Sequence, residues 1–362
     1  MTDKMRVYTK VKQTLKKMMP STPQNQMVTI AMMVTGIVLG RKAQLSVMSL
    51  EVPQSAKPAS LEKRMQRFVK NERVEAAVYY LPFAHLILSH LADKALLLAI
   101  DGSTVGRGCM ALVVGVIYRQ RAIPLVWIVY KGKKGHTTAD RHIAVLQLVQ
   151  PLLPEGAEVV LLGDGEYDTV ALLSWVTLCT DWHFVVRTSK NILITHNGLQ
   201  YPLQDLCASR GSCTWAENAL FTHQEFGPVL AIAWWGKQYE DPIFLVSNCA
   251  SPQLACDYYR RRFRLETLFS DKKSRGFHIE KSHLSDPDRL ARLLLATSLA
   301  YIWLLYLGMM VSQDETKRSL IDRTHRCDKS LFRLGLDWLK YVLTHGLEFT
   351  VAFHLFGQPV QT

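Results

Sequence analysis

Apolar and polar positions divide the chain into stretches of different texture. Over the first ninety residues the spacing is helical. Val7, Val11, Leu15 and Met18 recur among Lys10, Lys12, Lys16 and Lys17, and Pro20 stops the run. Gly40 and the Pro53–Pro58 stretch punctuate two further segments. Leu61 to Val69 then form an amphipathic helix, with Lys63, Arg64, Arg67 and Lys70 expected on its outer face. Residues 1–93 therefore predict a helical region.

From Ala95 the pattern changes. Ala95–Ile100 is an apolar run that ends in Asp101-Gly102. Met110–Tyr118 and Ile123–Tyr130 are β-rich and separated by a short polar turn, as in a hairpin. Ala139 to Leu152 has helical spacing, Val159–Gly163 is a short apolar strand ending at Asp164-Gly165, residues 169 to 178 read as helix, and Phe184–Arg187 as strand. Three antiparallel strands followed by helix, strand, helix, strand are the element order of an RNase H-like mixed α/β sheet. That core is expected over 94–188.

Residues 189–248 break the rhythm. Asn197-Gly198 signals a hairpin, and Leu230–Trp235 and Ile243–Val246 are strand-like, so a β-rich insertion is expected. The core resumes over 249–312. Ser251-Pro252 is an N-cap with proline in the first turn, and one helix should run from it to about Ser274, with Gly276 just beyond. Helices near Asp288–Val311 and Lys329–Leu343 follow, the last within a C-terminal helical region, 313–362.

Leu293–Val311 carries no charge and is nearly long enough to span a bilayer. A helix buried on all sides within a domain looks the same. The expectation is a core helix that packs on the strands bearing Asp101 and Asp164 and finds protein partners for Tyr301 and Tyr306. No membrane partner is expected, nor a leader peptide, because the basic N-terminus leads to no apolar stretch before a cleavage site.

Composition adds a partner class. Lys plus Arg number 43 against 31 for Asp plus Glu, a net charge of +12, in a chain of 362 residues that is 48 % hydrophobic. That is a globular protein whose field favours a polyanion. The seven cysteines, Cys109, Cys179, Cys207, Cys213, Cys249, Cys256 and Cys327, form no C-x-x-C pair and suggest buried free thiols in a reducing compartment.

The chemistry concentrates after the insertion. At about 100° per residue, Tyr259, Arg262, Glu266 and Lys273 fall at roughly 0°, 300°, 340° and 320° around one helix, on a face about 60° wide. Leu265, Leu268 and Phe269 form the adjacent apolar stripe. Cations suit phosphates, and a carboxylate among them would repel phosphates unless a divalent ion joins the two. An ordinary solvated face with Glu266 paired to Arg262 gives the same pattern. Asp101 and Asp164 tip the balance. Each stands at the end of an apolar run before Gly, and strand ends are where ligand sites gather in α/β sheets.

These residues resemble the DDE transposases of bacterial insertion sequences, specifically the insertion-sequence-four family with its Y-x2-R-x3-E-x6-K signature. Here the signature is Tyr259, Arg262, Glu266 and Lys273, and the resemblance spans about Leu96 to Val311. It implies that Asp101, Asp164 and Glu266 are catalytic and hold two Mg²⁺ ions, with Mn²⁺ as a substitute. Tyr259, Arg262 and Lys273 would bind DNA phosphates, and one of Trp215, Trp234 and Trp235 would stack on a flipped base. The implied partners are double-stranded DNA, as terminal inverted repeats and target, and a second copy of the chain on that DNA. The implied location is the cytoplasm, at the nucleoid. The 1–93 region would be the DNA-binding region. The family's Arg-Gly-Phe-like run after the second Asp is Gly165-Glu166-Tyr167 here, and Glu166 competes as a ligand. The basic loop Lys131, Lys133, Lys134 and His136 is either a DNA contact or solvated.

Two rivals remain at this level. A haloacid-dehalogenase-type phosphatase needs two Asp spaced by two, but Ala99 and Ser103 flank Asp101 at that spacing. The other rival is a transposase-derived DNA-binding protein that no longer cuts.

Overall fold

The computed structural model describes residues 2–53, 56–91, 95–322 and 328–355; Cys327 lies outside them. The N-terminal region is five helices: α1 (Asp3–Met18), α2 (Gln24–Gly40), α3 (Leu45–Glu51), α4 (Pro58–Lys70) and α5 (Ala76–Ser89). Then come β1 (Leu96–Gly106), β2 (Cys109–Tyr118), β3 (Arg121–Lys131), α6 (Ala139–Val149), β4 (Val159–Gly163), α7 (Val170–Cys179) and β5 (His183–Arg187). β1 to β3 form an antiparallel meander, while β4 pairs parallel to both β1 and β5. The spatial order β3-β2-β1-β4-β5 is the RNase H-like mixed sheet.

The insertion supplies β6 (Leu193–His196), β7 (Leu199–Pro202), β8 (Cys213–Phe221), β9 (Phe226–Trp234) and β10 (Ile243–Ser247). It does not stand apart. β10 pairs antiparallel with β5, so the described strands form one ten-stranded sheet that continues β10-β9-β8-β6-β7. The last core strand thus offers its free edge to the insertion, which protects a row of unpaired amides and carbonyls.

The expected single helix over 252–274 is two: α8 (Pro252–Arg261) and α9 (Arg264–Lys272). Ser251 caps the first, its hydroxyl accepting from the Leu254 N–H. At the break, Arg262 N–H donates to the Tyr259 carbonyl and Leu265 N–H to that of Arg262, bonds one residue shorter than α-helical. No proline or glycine causes this. α8 packs on β5 and β9, and α9 on β1, β2 and β3. A twisted sheet turns its strands between those two places, so a straight rod cannot follow both.

α10 (Pro287–Ser312) is the long apolar helix, and 89 % of its most apolar stretch is buried inside the protein. It packs on β3 and β2, on α2, α4 and α5, and on α12 (Leu331–Thr344), which follows the short α11 (Glu315–Ile321). It therefore covers the outer strands of the meander and not chiefly those carrying Asp101 and Asp164, because α9 already lies over β1. Tyr301 donates to the Ala122 carbonyl at 3.3 Å, and the Tyr306 ring packs on His354. A Cβ on Gly308 would lie 1.8 Å from the Leu331 carbonyl oxygen, and one on Gly335 1.9 Å from that of Leu304. Two glycines thus permit the α10–α12 contact.

Arg64, expected outside, and Arg292 are both turned inward. Arg64 donates to the Thr29 hydroxyl and Asn25 carbonyl of α2. Arg292, which opens the apolar segment, is buried and donates to the Val69 and Val74 carbonyls at and beyond the end of α4. Orphan carbonyls at helix ends need such donors. The N-terminal helices consequently share one continuous core with the sheet and α10.

Candidate active site

The parallel β1–β4 register runs from Leu96↔Val159 to Ala99↔Leu162. Continued by two residues, the same offset carries Asp101 to Asp164. The two carboxylates thus come from neighbouring strands at one level, where side chains share a face. Asp164 lies just past the end of β4, as expected. Asp101 does not end its strand: β1 runs on to Gly106, paired only with β2 beyond Ala99. The site opens where β4 stops and β1 continues.

Asp101 is 2 % exposed. Its Oδ1 accepts from the Gly102 N–H at 2.7 Å and lies 3.8 Å from Lys134 Nζ. Burial pushes its pKa up to about 6 and the charge of Asp164 pushes the same way, against Lys134, Arg262 and the Gly102 amide. Asp164 is half-buried, and its Oδ1 accepts from the Glu166 N–H at 3.0 Å. The competing carboxylate, Glu166, accepts from the Thr137 N–H at 3.3 Å.

Arg262 stands at the centre. It is 4 % exposed, and its Nη2 donates to Glu266 Oε1 at 2.9 Å. Burial alone would lower its pKa, but Tyr259, Glu266, Asp164 and Asp101 together hold it above its ordinary value. One guanidinium therefore feels all three expected carboxylates. Its Nε and Nη1 meet no acceptor in good geometry, and the buried Tyr259 hydroxyl lies against the guanidinium, whose charge and hydrogen bond work against the rise that burial causes in its pKa. Buried donors left in this state await an acceptor.

Lys273 does not continue the helical face. It is the C-cap of α9, with a non-helical backbone. It still reaches the site: burial and the repulsion of Lys134 lower its pKa, while Glu280 and Asp101 oppose them. The six expected residues thus converge, though along a broken path. Glu266 is the outlier. Its side chain is 51 % exposed and tied to Arg262. Among the described residues no three carboxylate, imidazole or thiol groups form a ready cation cage. The Asp101–Asp164 pair nevertheless fits a divalent ion, because a buried carboxylate beside a second one lacks enough positive charge.

Sequence reading did not place four neighbours near these carboxylates. Lys134 belongs to the basic loop, and its reach to Asp101 depends on how β3 ends. Arg187, at the end of β5, acts on Tyr259. Tyr167 and His142 lie fully buried beneath the carboxylates, their rings 4.5 Å apart. Of the insertion tryptophans, Trp234 is buried under Arg260, Trp235 donates to the Tyr239 carbonyl, and Trp215 is 41 % exposed.

No curated protein matches the chain. Among solved structures, a piggyBac transposase synaptic complex with hairpin DNA aligns with 94 % of this chain and 78 % of its own, at 10 % identity and a TM-score of 0.48. Human ENDOV aligns with 56 % of this chain and 95 % of its own, at 16 % identity and a TM-score of 0.30. The model of the transposase DDE domain matches residues 96–303, from the start of β1 into α10 and through both aspartates, the insertion and Glu266. That is more than half of the chain, and the chain belongs to the transposase DDE domain family.

Proposed function

We propose that the protein is a cut-and-paste transposase that cleaves DNA at the ends of an insertion sequence and joins them to a target. The observation that carries this is Arg262: a buried guanidinium within the field of Asp101, Asp164 and Glu266, with two donors unpartnered. Such a site accepts a phosphate and positive charge together.

Asp101 and Asp164 would hold Mg²⁺, or Mn²⁺ in its place, as a pair of ions completed by Glu266. Bound there, the ions supply Lewis-acid activation of the attacking oxygen, first of water and then of a 3′-hydroxyl, and neutralise the phosphate. Arg262 must release Glu266 for that role, and a DNA phosphate bound bidentately through Nη2 with Nε or with Nη1 would take the donor that Glu266 now holds. Tyr259 lends its hydroxyl to the same phosphate. Lys134, 3.8 Å from Asp101, and Lys273, whose charge Asp101 favours, would steer the backbone in. The partners are double-stranded DNA, at terminal repeats and target, and a second copy of the chain bound to it. Trp215, the most exposed of the three tryptophans, is the one suited to stack on a flipped base. The exposed Lys63, Arg67 and Lys70 of α4 give the N-terminal region a face for the DNA end. A protein acting on the bacterial chromosome works in the cytoplasm at the nucleoid.

The test is cleavage of the flanking element ends with and without Mg²⁺. Metal-dependent 3′-hydroxyl ends support the proposal. DNA binding without cleavage at any metal concentration would favour a transposase-derived binding protein.

A further inference from the structure

Phosphoryl transfer uses none of the thiols, and their surroundings differ. Cys109 and Cys249 are buried, and each donates to a backbone carbonyl, of Ser285 and of Phe184. Cys179 is exposed at the end of α7. Cys213 and Cys256 instead meet each other: their Sγ atoms lie 3.9 Å apart, although the residues are 43 positions apart in the chain. Cys213 opens β8, in register with Trp234 of β9, and is only half-buried. Cys256 is 5 % exposed in the middle of α8. The Arg260 guanidinium, one turn further along α8, lies over the Trp234 ring. The thiol pair therefore belongs to the seam between the insertion and the helix that carries Tyr259. A hydrogen bond from Cys256 lowers the Cys213 pKa to about 7, and the same bond raises that of Cys256. The outer sulfur is thus the more readily ionised, and a small solute can reach it.

We propose that Cys213 and Cys256 are an oxidisable pair, which a hydroperoxide closes to a reversible disulfide that clips α8 to the insertion. The Cys213 thiolate attacks one peroxide oxygen, the O–O bond breaks, and hydroxide leaves; Cys213 becomes a sulfenic acid. The Cys256 sulfur then attacks Cys213 Sγ, the S–O bond breaks, and that oxygen leaves as water with the Cys256 proton. The hydroxide takes up the proton that Cys213 gave off. Two thiols have lost two electrons and two protons, and the peroxide has become two waters. A disulfide bond is about 2.05 Å long, so side-chain rotation and a small shift of α8 must share the closure. That closure acts three residues before Tyr259 and six before Arg262. In a reducing compartment such a bond is transient and senses oxidant.

The experiment treats the reduced full chain with hydrogen peroxide, blocks the remaining thiols by alkylation, and maps its peptides by mass spectrometry without reductant. The expected product is a linked pair of peptides holding Cys213 and Cys256, lighter than the two free peptides by two hydrogens and reopened by dithiothreitol. Amide hydrogen exchange over 252–261 should slow several-fold in the oxidised protein and recover on reduction. In Cys256→Ala the second step has no nucleophile, so dimedone should capture Cys213 as its sulfenic acid. Alkylation of both thiols after peroxide, or a Cys213 linked to Cys207 instead, overturns the pair. A Cys213–Cys256 bond with unchanged exchange over 252–261 overturns the clip. A folded Cys256→Ala whose Cys213 escapes dimedone overturns the first step.

Discussion

The expected carboxylates stand on two kinds of scaffold. Asp101 and Asp164 ride on adjacent parallel strands, and backbone pairing sets them at one level before any ligand arrives. Glu266 rides on the first turn of a helix that has just broken, and it faces solvent in an ion pair. At Asp101 the backbone of β1 is still paired with β2, and Asp164 follows directly on a strand paired on both sides. A helix resting on a sheet is held by side chains alone and can shift. The difference suggests a site with two fixed ligands and one that arrives late, when a phosphate draws Arg262 away.

The largest effect should come from the fixed pair. Asp101→Asn and Asp164→Asn should each lower cleavage by about 10³-fold or more, since losing a ligand costs several kcal/mol of transition-state stabilisation. Cleavage rates on end substrates at saturating Mg²⁺ measure this. The buried charge also makes a stability prediction. With the Asp101 pKa raised to about 6, its charged form is disfavoured in the fold at higher pH. Stability is then lost as pH rises from 3.8 through 6 and stays lost above it. Asp101→Asn should therefore be more stable than wild type at pH 8, by up to about 3 kcal/mol. A destabilised variant would mean that Lys134 and Arg262 already balance the charge.

Glu266→Gln should lower cleavage about 10²-fold or more, with DNA binding kept or tightened. A rate within tenfold of wild type would show that Glu266 is only an ion-pair partner. Arg262→Ala should weaken binding to element ends and reduce the slope of log affinity against log salt by about one. An unchanged slope would confine Arg262 to its bond with Glu266.

The smallest effect concerns the footing of α9. Lys272 is buried, donates to the Ser298 hydroxyl at 2.8 Å, and has its pKa lowered to about 7 by burial. The unfolded chain keeps this proton up to about pH 10.4, so stability should rise with pH above 7 and be fully reduced below it. Lys272→Met should flatten the wild-type dependence by up to about 1.4 kcal/mol per pH unit between pH 7 and 9. Parallel curves for the two proteins would show that Lys272 stays charged. Asp271 shifts in a lower window, its pKa raised to about 6 by burial, so the two separate.

Local chemistry explains what was readable. Apolar runs of strand length bounded by turns gave the β1–β5 order. Ser251-Pro252 marked a helix start because capping is a contact between near neighbours. Leu293–Val311 kept no polar face, which marked an apolar helix but left its burial within the protein to the fold. The order Asp101, Asp164, Glu266 was visible along the chain, and the signature on the third only through the resemblance to transposases.

Partners distant in the chain decided the rest. Whether the insertion stood alone or extended the sheet depended on β10 meeting the free edge of β5. The break at Arg262 arises because α8 and α9 rest on different strands of a twisted sheet, and helical periodicity carries no trace of the surface beneath. Arg64 and Arg292 look solvated in any window of sequence, yet each turns inward to backbone oxygens that only the packing of α2 and α4 presents. Lys134 reaches Asp101 from the end of a loop, and Tyr167 and His142 come together beneath the site from separate elements. Sequence by itself determined which groups with the right chemistry exist and on which elements they lie; the tertiary structure alone decided which of them face one another, because that depends on contacts between residues far apart in the chain.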